Sequence, residues 1–422
     1  MSETFCNLPW DHLYVDTNGK FKICCMTNEY VCHDDGYHLY DILHDKINDV
    51  YNSNYMKSLR KKMIQGEIID TCKKCVNLEN NNLTSRRATY NKNYFIANTN
   101  SDGQIQTAPS ELEVHFGNVC NLKCRMCSQY FSNSIGKELL KIAEKDQEFL
   151  IWVKKESGFV NNWTHNLDVT FDWFKNFEIK NKVFNFIKDH VKKLLFVGGE
   201  PTIIPEFWEL VDFLYENNVL DKISIFLVTN CTSINRKVLE KIKLCKKFAG
   251  HLSIDGLYER NRYIRYPSDW NTVLKNILLY KELFNNNIGV APAWQILNID
   301  QLVDYTIFWN KLNIKINWQP RVVSPVILDF KNFPQTYQNT TADNLEKKLL
   351  QNKDNIRGQD FFEVQNIIGT LRNKMISDSD HVKHVVKAFI KYNDTIDKHR
   401  HGQTWRQLLP NLVTHLEATQ PL

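Results

Sequence analysis

The sequence predicts an α/β chain built on a parallel sheet, with a cysteine-rich segment ahead of the sheet and a helical segment behind it. Three observations predict this. From Glu111 onward, short apolar runs alternate with longer stretches of helical spacing, the pattern of repeated βα units. Nine of the 11 cysteines fall within the first 127 residues. Between these zones, residues 93–110 are rich in Asn, Ser, Thr, Gln and Gly, with Pro109 near the end, and read as a linker.

The elements follow in order. Residues 1–92 form a cysteine-bearing module, in which β-like runs at 12–15 and 21–24 surround an Asn18-Gly19 turn and predict a hairpin. After the linker at 93–110, residues 111–328 hold six expected strands, at 112–116, 193–197, 224–229, 248–254, 289–294 and 315–319. The stretch between the first two is too long for one crossover helix. It carries Trp152, Trp163, Phe171, Trp173 and Phe174 and is expected to cover one rim of the sheet. Residues 329–422 are expected to be mainly helical, with apolar spacing through Val364, Ile367, Ile368 and Leu371 and again through Val382, Val385, Val386, Phe389 and Ile390.

Composition excludes several classes. At 422 residues, with 43% hydrophobic and 24% charged residues, the chain is neither a disulfide-stapled peptide nor a disordered or collagen-like one. A net charge of 53 − 48 = +5 is mild, and no dedicated nucleic-acid patch is evident. The start, Met1-Ser2-Glu3-Thr4-Phe5-Cys6, lacks a basic segment followed by an apolar one. No apolar run approaches the ~18–20 residues of a membrane helix, so no membrane partner is expected and a cytoplasmic location is. In that reducing compartment clustered cysteines read as metal ligands or redox groups rather than disulfides.

The first expected strand of the sheet runs into Cys120-Asn121-Leu122-Lys123-Cys124-Arg125-Met126-Cys127, a C-x3-C-x2-C loop. Three thiolates can hold three irons of a four-iron, four-sulfur cube and leave the fourth open. Zinc usually takes four protein ligands, arranged in pairs when structural, and fits this spacing poorly. Polar and glycine-rich segments follow the next strands, at the ends where an α/β barrel presents its working face. These are Gly198-Gly199-Glu200-Pro201, Thr229-Asn230-Cys231-Thr232 and Ser253-Ile254-Asp255-Gly256, with Arg262 and Arg265 beyond, and Asn298 after the fifth strand.

This series resembles the radical S-adenosylmethionine (SAM) superfamily. The resemblance implies a partial (β/α)6 TIM-like barrel and a 4Fe-4S cluster on Cys120, Cys124 and Cys127, whose open iron chelates SAM. One electron then cleaves SAM to a 5′-deoxyadenosyl radical that abstracts a hydrogen atom from a substrate. It also implies site roles. Glu200, with the carbonyls around Gly198, Gly199 and Pro201, would take the methionine ammonium. Asn230, Ser253 and Asp255 would contact the ribose and the rest of SAM, and Arg265 its carboxylate. Asn298 is a candidate for the adenosine pocket. Met126, where the family usually has an aromatic residue, would pack beside adenine. A reductant such as flavodoxin or ferredoxin is the implied partner.

The earlier cysteines form two pairs, Cys6 with Cys24 in C-x12-G-x4-C and Cys72 with Cys75 in C-x2-C. Four such ligands hold either zinc or a second iron–sulfur cluster, and spacing alone leaves both open. The pattern resembles the SPASM or twitch auxiliary-cluster module, here placed before the barrel, which implies iron and sulfur. Cys25 and Cys32 are alternative ligands. The opening Cys6-Asn7-Leu8-Pro9-Trp10, the segment Ser85-Arg86-Arg87 and the late Asp397-Lys398-His399-Arg400 extend this resemblance.

The expected reaction is hydrogen-atom abstraction, with a peptide or protein as first substrate class and a nucleotide or sugar as second. Cys231 has two readings, a hydrogen donor that completes an epimerisation and a buried thiol that fills space. His115, at the end of the first strand of the sheet, points either into the barrel or into a hydrogen-bonded core position. The competing class is a non-catalytic iron–sulfur electron carrier or metal-binding interaction module. It accounts for the cysteines but not for the Gly-Gly-Glu turn.

Overall fold

A computed structural model describes residues 4–80, 84–92, 99–160, 166–319, 321–373 and 379–419. Trp163 and residues 93–98 of the expected linker lie outside the described residues. The chain divides into two compact units. The first comprises Met1–Val119, Thr170–Val228 and Asn235–Ala249, and the second Cys120–Val169, Thr229–Ile234 and Gly250–Leu422.

In the first unit β1 (His12–Val15) and β2 (Phe21–Lys22) form the expected hairpin, with Tyr14 opposite Lys22 and Val15 opposite Phe21. Gly19 takes φ 82° at its turn, a conformation glycine adopts without steric cost. The hairpin does not stand alone. β1 pairs in parallel with β3 (Glu111–His115), His12 facing Glu111 and Tyr14 facing Glu113. β3 continues in parallel to β4 (Lys193–Val197), and β4 to β5 (Ser224–Thr229).

Alternation along the strands separates two faces. Leu112, Val114, Leu194, Phe196 and Leu227 have no exposed surface and form an apolar layer. Aromatic rings extend it: Phe196 stacks on Phe116, which packs on Trp173 and Phe174. The other face of β3 carries Glu111, Glu113 and His115, all buried. Buried carboxylates are costly unless paired. Glu111 meets His12 Nδ1 at 3.1 Å and Lys193 Nζ at 2.8 Å, and Glu113 meets Arg86 Nη2 at 2.6 Å. Burial alone would raise Glu113, but its hydrogen bond to His115 and the nearby charges of Arg86 and His12 hold it down to about 2.

In the second unit, residues 250–252 of β6 (Lys247–Leu252) pair in parallel with β7 (Ile288–Val290), and β7 with β8 (Lys315–Ile316). β7 stops short of the expected 289–294. Pro292 has no N–H to donate, and the Ala293 N–H is taken by Asp255 Oδ1 at 2.6 Å. The C-terminal segment is helical, with helices at Gln335–Gln351, Gly358–Arg372 and Ser379–His399. Of the positions that the spacing predicts, Val364, Ile368, Leu371, Val385, Val386 and Phe389 are buried, while Ile367, Val382 and Ile390 are half-buried. Among the described residues no helix is long and apolar enough to cross a membrane.

Candidate functional site

The three-cysteine loop belongs to the second unit, and its shape is set by the residues between its cysteines. Ser134 Oγ donates to the Cys120 carbonyl at 2.6 Å and Ser132 Oγ to that of Leu122 at 2.6 Å, so the helix Asn133–Ala143 and its cap hold one end. The backbone N–H groups of Lys123 and Arg125 donate to Tyr266 O at 2.6 Å and Ile264 O at 2.8 Å. Arg125 is 2% exposed. It lies over the Tyr263 ring at 4.2 Å, donates to Asn393 Oδ1 at 2.8 Å and pairs with Asp397. Asp397 also accepts from Trp405 N at 2.9 Å. Arg400 donates to the Lys123 carbonyl at 2.8 Å and pairs with the buried Glu138 at 2.7 Å. The late Asp397-Lys398-His399-Arg400 segment thus grips the loop through its first and last residues, while Lys398 and His399 face solvent.

Burial pushes Cys127 up to about 12, with neighbouring Cys124 adding to the rise, and burial likewise raises Cys124. Arg265 acts the other way on both, its Nη1 lying 3.9 Å from Cys124 Sγ. Free thiols here stay protonated near neutrality, so binding iron must release protons.

Most of the residues expected to contact SAM fall into short hydrogen-bond networks of this unit. Arg265 Nε lies 2.6 Å from Asp255 Oδ2, and burial raises the Asp255 carboxyl against the opposing charge of Arg265. Asn298 Nδ2 donates to Asp255 O at 2.8 Å and to Ala293 O at 3.0 Å, fixing the bend after β7. Asn230 Nδ2 donates to Asn121 Oδ1 at 3.1 Å, tying the end of β5 to the cysteine loop. The backbone of Ser253 donates to Thr229 O at 2.8 Å. Cys231 is wholly buried at φ 60°, with its carbonyl accepting from Asn276 Nδ2 at 2.8 Å. Met126 is half-buried.

The Gly-Gly-Glu turn belongs to the first unit. The N–H of Gly199 donates to Gly117 O at 3.1 Å and that of Glu200 to Val119 O at 2.9 Å, Val119 being the residue bonded to Cys120. A Cβ on Gly199 would sit 2.2 Å from Val119 O, so the close approach requires glycine. Gly198 adopts φ 98°. Glu200 is buried, its Oε1 accepting from Thr202 N at 3.1 Å and Thr202 Oγ1 at 2.6 Å to cap the turn Pro201–Ile203.

The other four cysteines also lie in the first unit. Cys6 precedes the turn Leu8–Trp10, Cys24 follows β2, and Cys72 and Cys75 flank the start of the helix Lys73–Asn80. All four line one cavity with Leu8, Ile23, Met26, Met63 and Arg87. Burial pushes Cys24 and Cys72 up to about 11 and Cys6 higher still, and the neighbouring thiols add to each rise. Neither Cys25 nor Cys32 lines this cavity. Cys25 reaches the surface and its sulfur accepts from Arg86 Nη1 at 2.7 Å. Among the described residues no three His, Cys, Asp or Glu side chains are disposed to hold one metal ion. A lone zinc would draw its sulfurs to about 2.3 Å from one point. A cubane spreads its ligands over its corners, and four cysteines around a shared, largely apolar cavity fit that donor set.

Sequence reasoning missed Arg125 and Asn121, which sit inside the cysteine motif where only the cysteines carry a spacing signal. It also missed Tyr263 and Asn393, whose link to the loop is tertiary.

Residues 114–305 match the family model for the radical SAM superfamily, and residues 6–76 match that for SPASM, an iron–sulfur cluster-binding domain. Together with the parallel strands and the two cysteine sites, these matches define an iron–sulfur protein with the α/β fold of a partial TIM barrel. The chain carries a radical SAM domain over residues 114–305 and, ahead of it, a SPASM iron–sulfur domain over residues 6–76. The two domains imply a 4Fe-4S cluster with SAM and auxiliary iron–sulfur binding. No curated protein matches the chain. Solved structures similar to it include anSMEcpe with bound AdoMet and Kp18Cys peptide, at 16% identity and TM-score 0.37, covering 57% of this chain and 61% of that one. Another is Streptococcus suis SuiB bound to S-adenosylmethionine, at 15% identity and TM-score 0.36, covering 70% and 60%. SuiB bound to precursor peptide SuiA aligns at 16% identity and TM-score 0.30, covering 65% and 57%. The chain therefore spans about three fifths of the length of these proteins.

Proposed function

We propose that the protein is a radical SAM enzyme that removes a hydrogen atom from a peptide or protein substrate, with Cys120, Cys124 and Cys127 holding the SAM-binding cluster. One observation carries the reading. The Gly-Gly-Glu turn is hydrogen-bonded to Gly117 and Val119, the residues that lead directly into the three-cysteine loop, at an approach only glycine permits. An electron carrier needs the cysteines but has no use for such a turn.

When bound, a 4Fe-4S cluster with an open iron and SAM supply a 5′-deoxyadenosyl radical. The chain's own residues bind and orient. Cys120, Cys124 and Cys127 lose their thiol protons on ligation. Glu200, its carboxylate fixed by Thr202, accepts from the methionine ammonium alongside the backbone carbonyls of the turn. Asp255 and Asn298 shape the bend expected to face the adenosine, and Arg265 adds positive charge beside Cys124. Asn230 holds the loop through Asn121. Cys6, Cys24, Cys72 and Cys75 ligate an auxiliary cluster, for which full protein ligation suits electron transfer. A flavodoxin- or ferredoxin-type reductant supplies the electron.

The test is anaerobic incubation of iron- and sulfide-loaded protein with SAM and dithionite. Release of 5′-deoxyadenosine is expected. Its absence from a fully loaded sample would assign the chain to the electron-carrier class.

A further inference from the structure

Arg87 is the one member of the Ser85-Arg86-Arg87 segment that faces the four-cysteine cavity. Its neighbour Arg86 turns elsewhere, to Cys25 Sγ and the Glu113 carboxylate. The Arg87 side chain is 7% exposed. Glu79 holds two of its three nitrogens, accepting from Nε at 3.1 Å and pairing with Nη2. Ser85 in turn donates to Glu79 and caps the helix Arg86–Asn91, so the anchor is itself fixed. The third nitrogen, Nη1, is buried and has no hydrogen-bond partner among the described residues. A buried guanidinium N–H without an acceptor is costly. The cavity that Arg87 lines is ringed by Cys6, Cys24, Cys72 and Cys75, and Cys6 and Cys75 are close enough to act on its charge.

Arg87 lines this cavity, and a sulfur of a cluster held there would supply the acceptor that Nη1 lacks. We propose that Arg87 is a positioning and tuning residue for the auxiliary cluster, donating Nη1–H to one of its sulfurs and raising its reduction potential. This rests on the reading that the four cysteines hold an iron–sulfur cluster. Four thiolates leave such a cluster with net negative charge, and one more electron adds to it. A fixed guanidinium stabilises the reduced state more than the oxidised one, and hydrogen bonds to the sulfurs act in the same direction. Arginine stays protonated at every working pH, so the effect is constant rather than switched. The other cation at the cavity edge, Lys74, is exposed, and solvent screens its charge.

The experiment uses the full chain with Cys120, Cys124 and Cys127 replaced by alanine, so that only the auxiliary site loads, and follows its midpoint by redox titration with electron paramagnetic resonance. In Arg87→Gln the reduced-to-oxidised ratio at the parent's midpoint is expected to fall about tenfold, which is about 59 mV for a one-electron couple. Arg87→Lys keeps the charge without the planar fork, and its midpoint should fall between the two. Lys74→Gln should leave the midpoint unchanged. A parent-like midpoint in Arg87→Gln and Arg87→Lys, or in Arg87→Lys alone where Arg87→Gln loses its cluster, overturns the proposal. A parent that loads no iron at all refutes instead the auxiliary-cluster reading beneath it.

Discussion

The two cysteine sites are assembled by opposite means. The four auxiliary cysteines come from three separate stretches between residues 6 and 75 and meet through packing, among Leu8, Ile23, Met26 and Met63. The three cluster-loop cysteines lie within eight residues, and buried charge holds that loop, Asp397 pairing with Arg125 and Arg400 reaching the Lys123 carbonyl. Packing tolerates gradual loss, because neighbours relax toward a vacancy. A buried ion pair fails at once when one partner is removed, because the other charge is left uncompensated. The two sites should therefore respond to different substitutions.

The sharpest way to break this contrast is Asp397→Ala. It strands Arg125, whose side chain is 1% exposed, and breaking a buried pair in this way costs about 3–5 kcal/mol. Iron bound by the cluster loop should be lost while auxiliary iron stays, as read by iron content and by the separate paramagnetic signals of the two clusters. Equal loss from both sites would mean that the charge network serves global stability rather than the loop. The smaller counterpart is Met63→Ala at the auxiliary cavity, where Met63 is 1% exposed. Truncating a buried methionine costs about 2–5 kcal/mol, toward the lower end where the site can collapse. The expected outcome is a lower denaturation midpoint and auxiliary iron that dissociates more readily, with iron at the cluster loop unchanged.

The same contrast explains what the sequence could and could not reveal. Local signals were enough for the strands Lys193–Val197 and Ser224–Thr229, where apolar runs end at turn residues, and for the C-terminal helices with their regular spacing. The three-cysteine loop and the Cys72–Cys75 pair stand out in the sequence because their spacing is local, whereas the meeting of Cys6 and Cys24 with that pair around one cavity depends on packing. The parallel pairing of β1 with β3 was not legible. It joins segments about a hundred residues apart, and Glu111, Glu113 and His115 make one face of β3 look like a surface. The role of Arg125 was equally hidden, since its partners Asn393 and Asp397 lie 268 and 272 residues further on. No periodicity records a pairing of that range.

The smallest expected effect separates the two units by acid. On β3, within the first unit, Glu113 is held near 2, against an ordinary 4.5, because His115, Arg86 and His12 together outweigh the burial that would raise it. Its folded form binds fewer protons than its unfolded form between those values, so its contribution is intact above pH 4.5 and lost as pH falls toward 2. On β6, within the second unit, His251 goes the other way. Burial, and then the charge of Lys315, lower it from 6.5 to about 4. The register explains the second cause: His251 lies opposite Gly289, which lies opposite Lys315, so the two side chains stand on one face of the sheet. His251 is neutral in the folded chain, so its contribution is complete above pH 6.5 and is lost as pH falls through 4. Allowing for its partial exposure, the effect is on the order of 1–2 kcal/mol. Urea unfolding of the wild type should therefore show a loss of stability between pH 7.5 and pH 5 that His251→Gln reduces and Glu113→Gln does not. A loss that persists undiminished in His251→Gln would place the acid-sensitive group elsewhere.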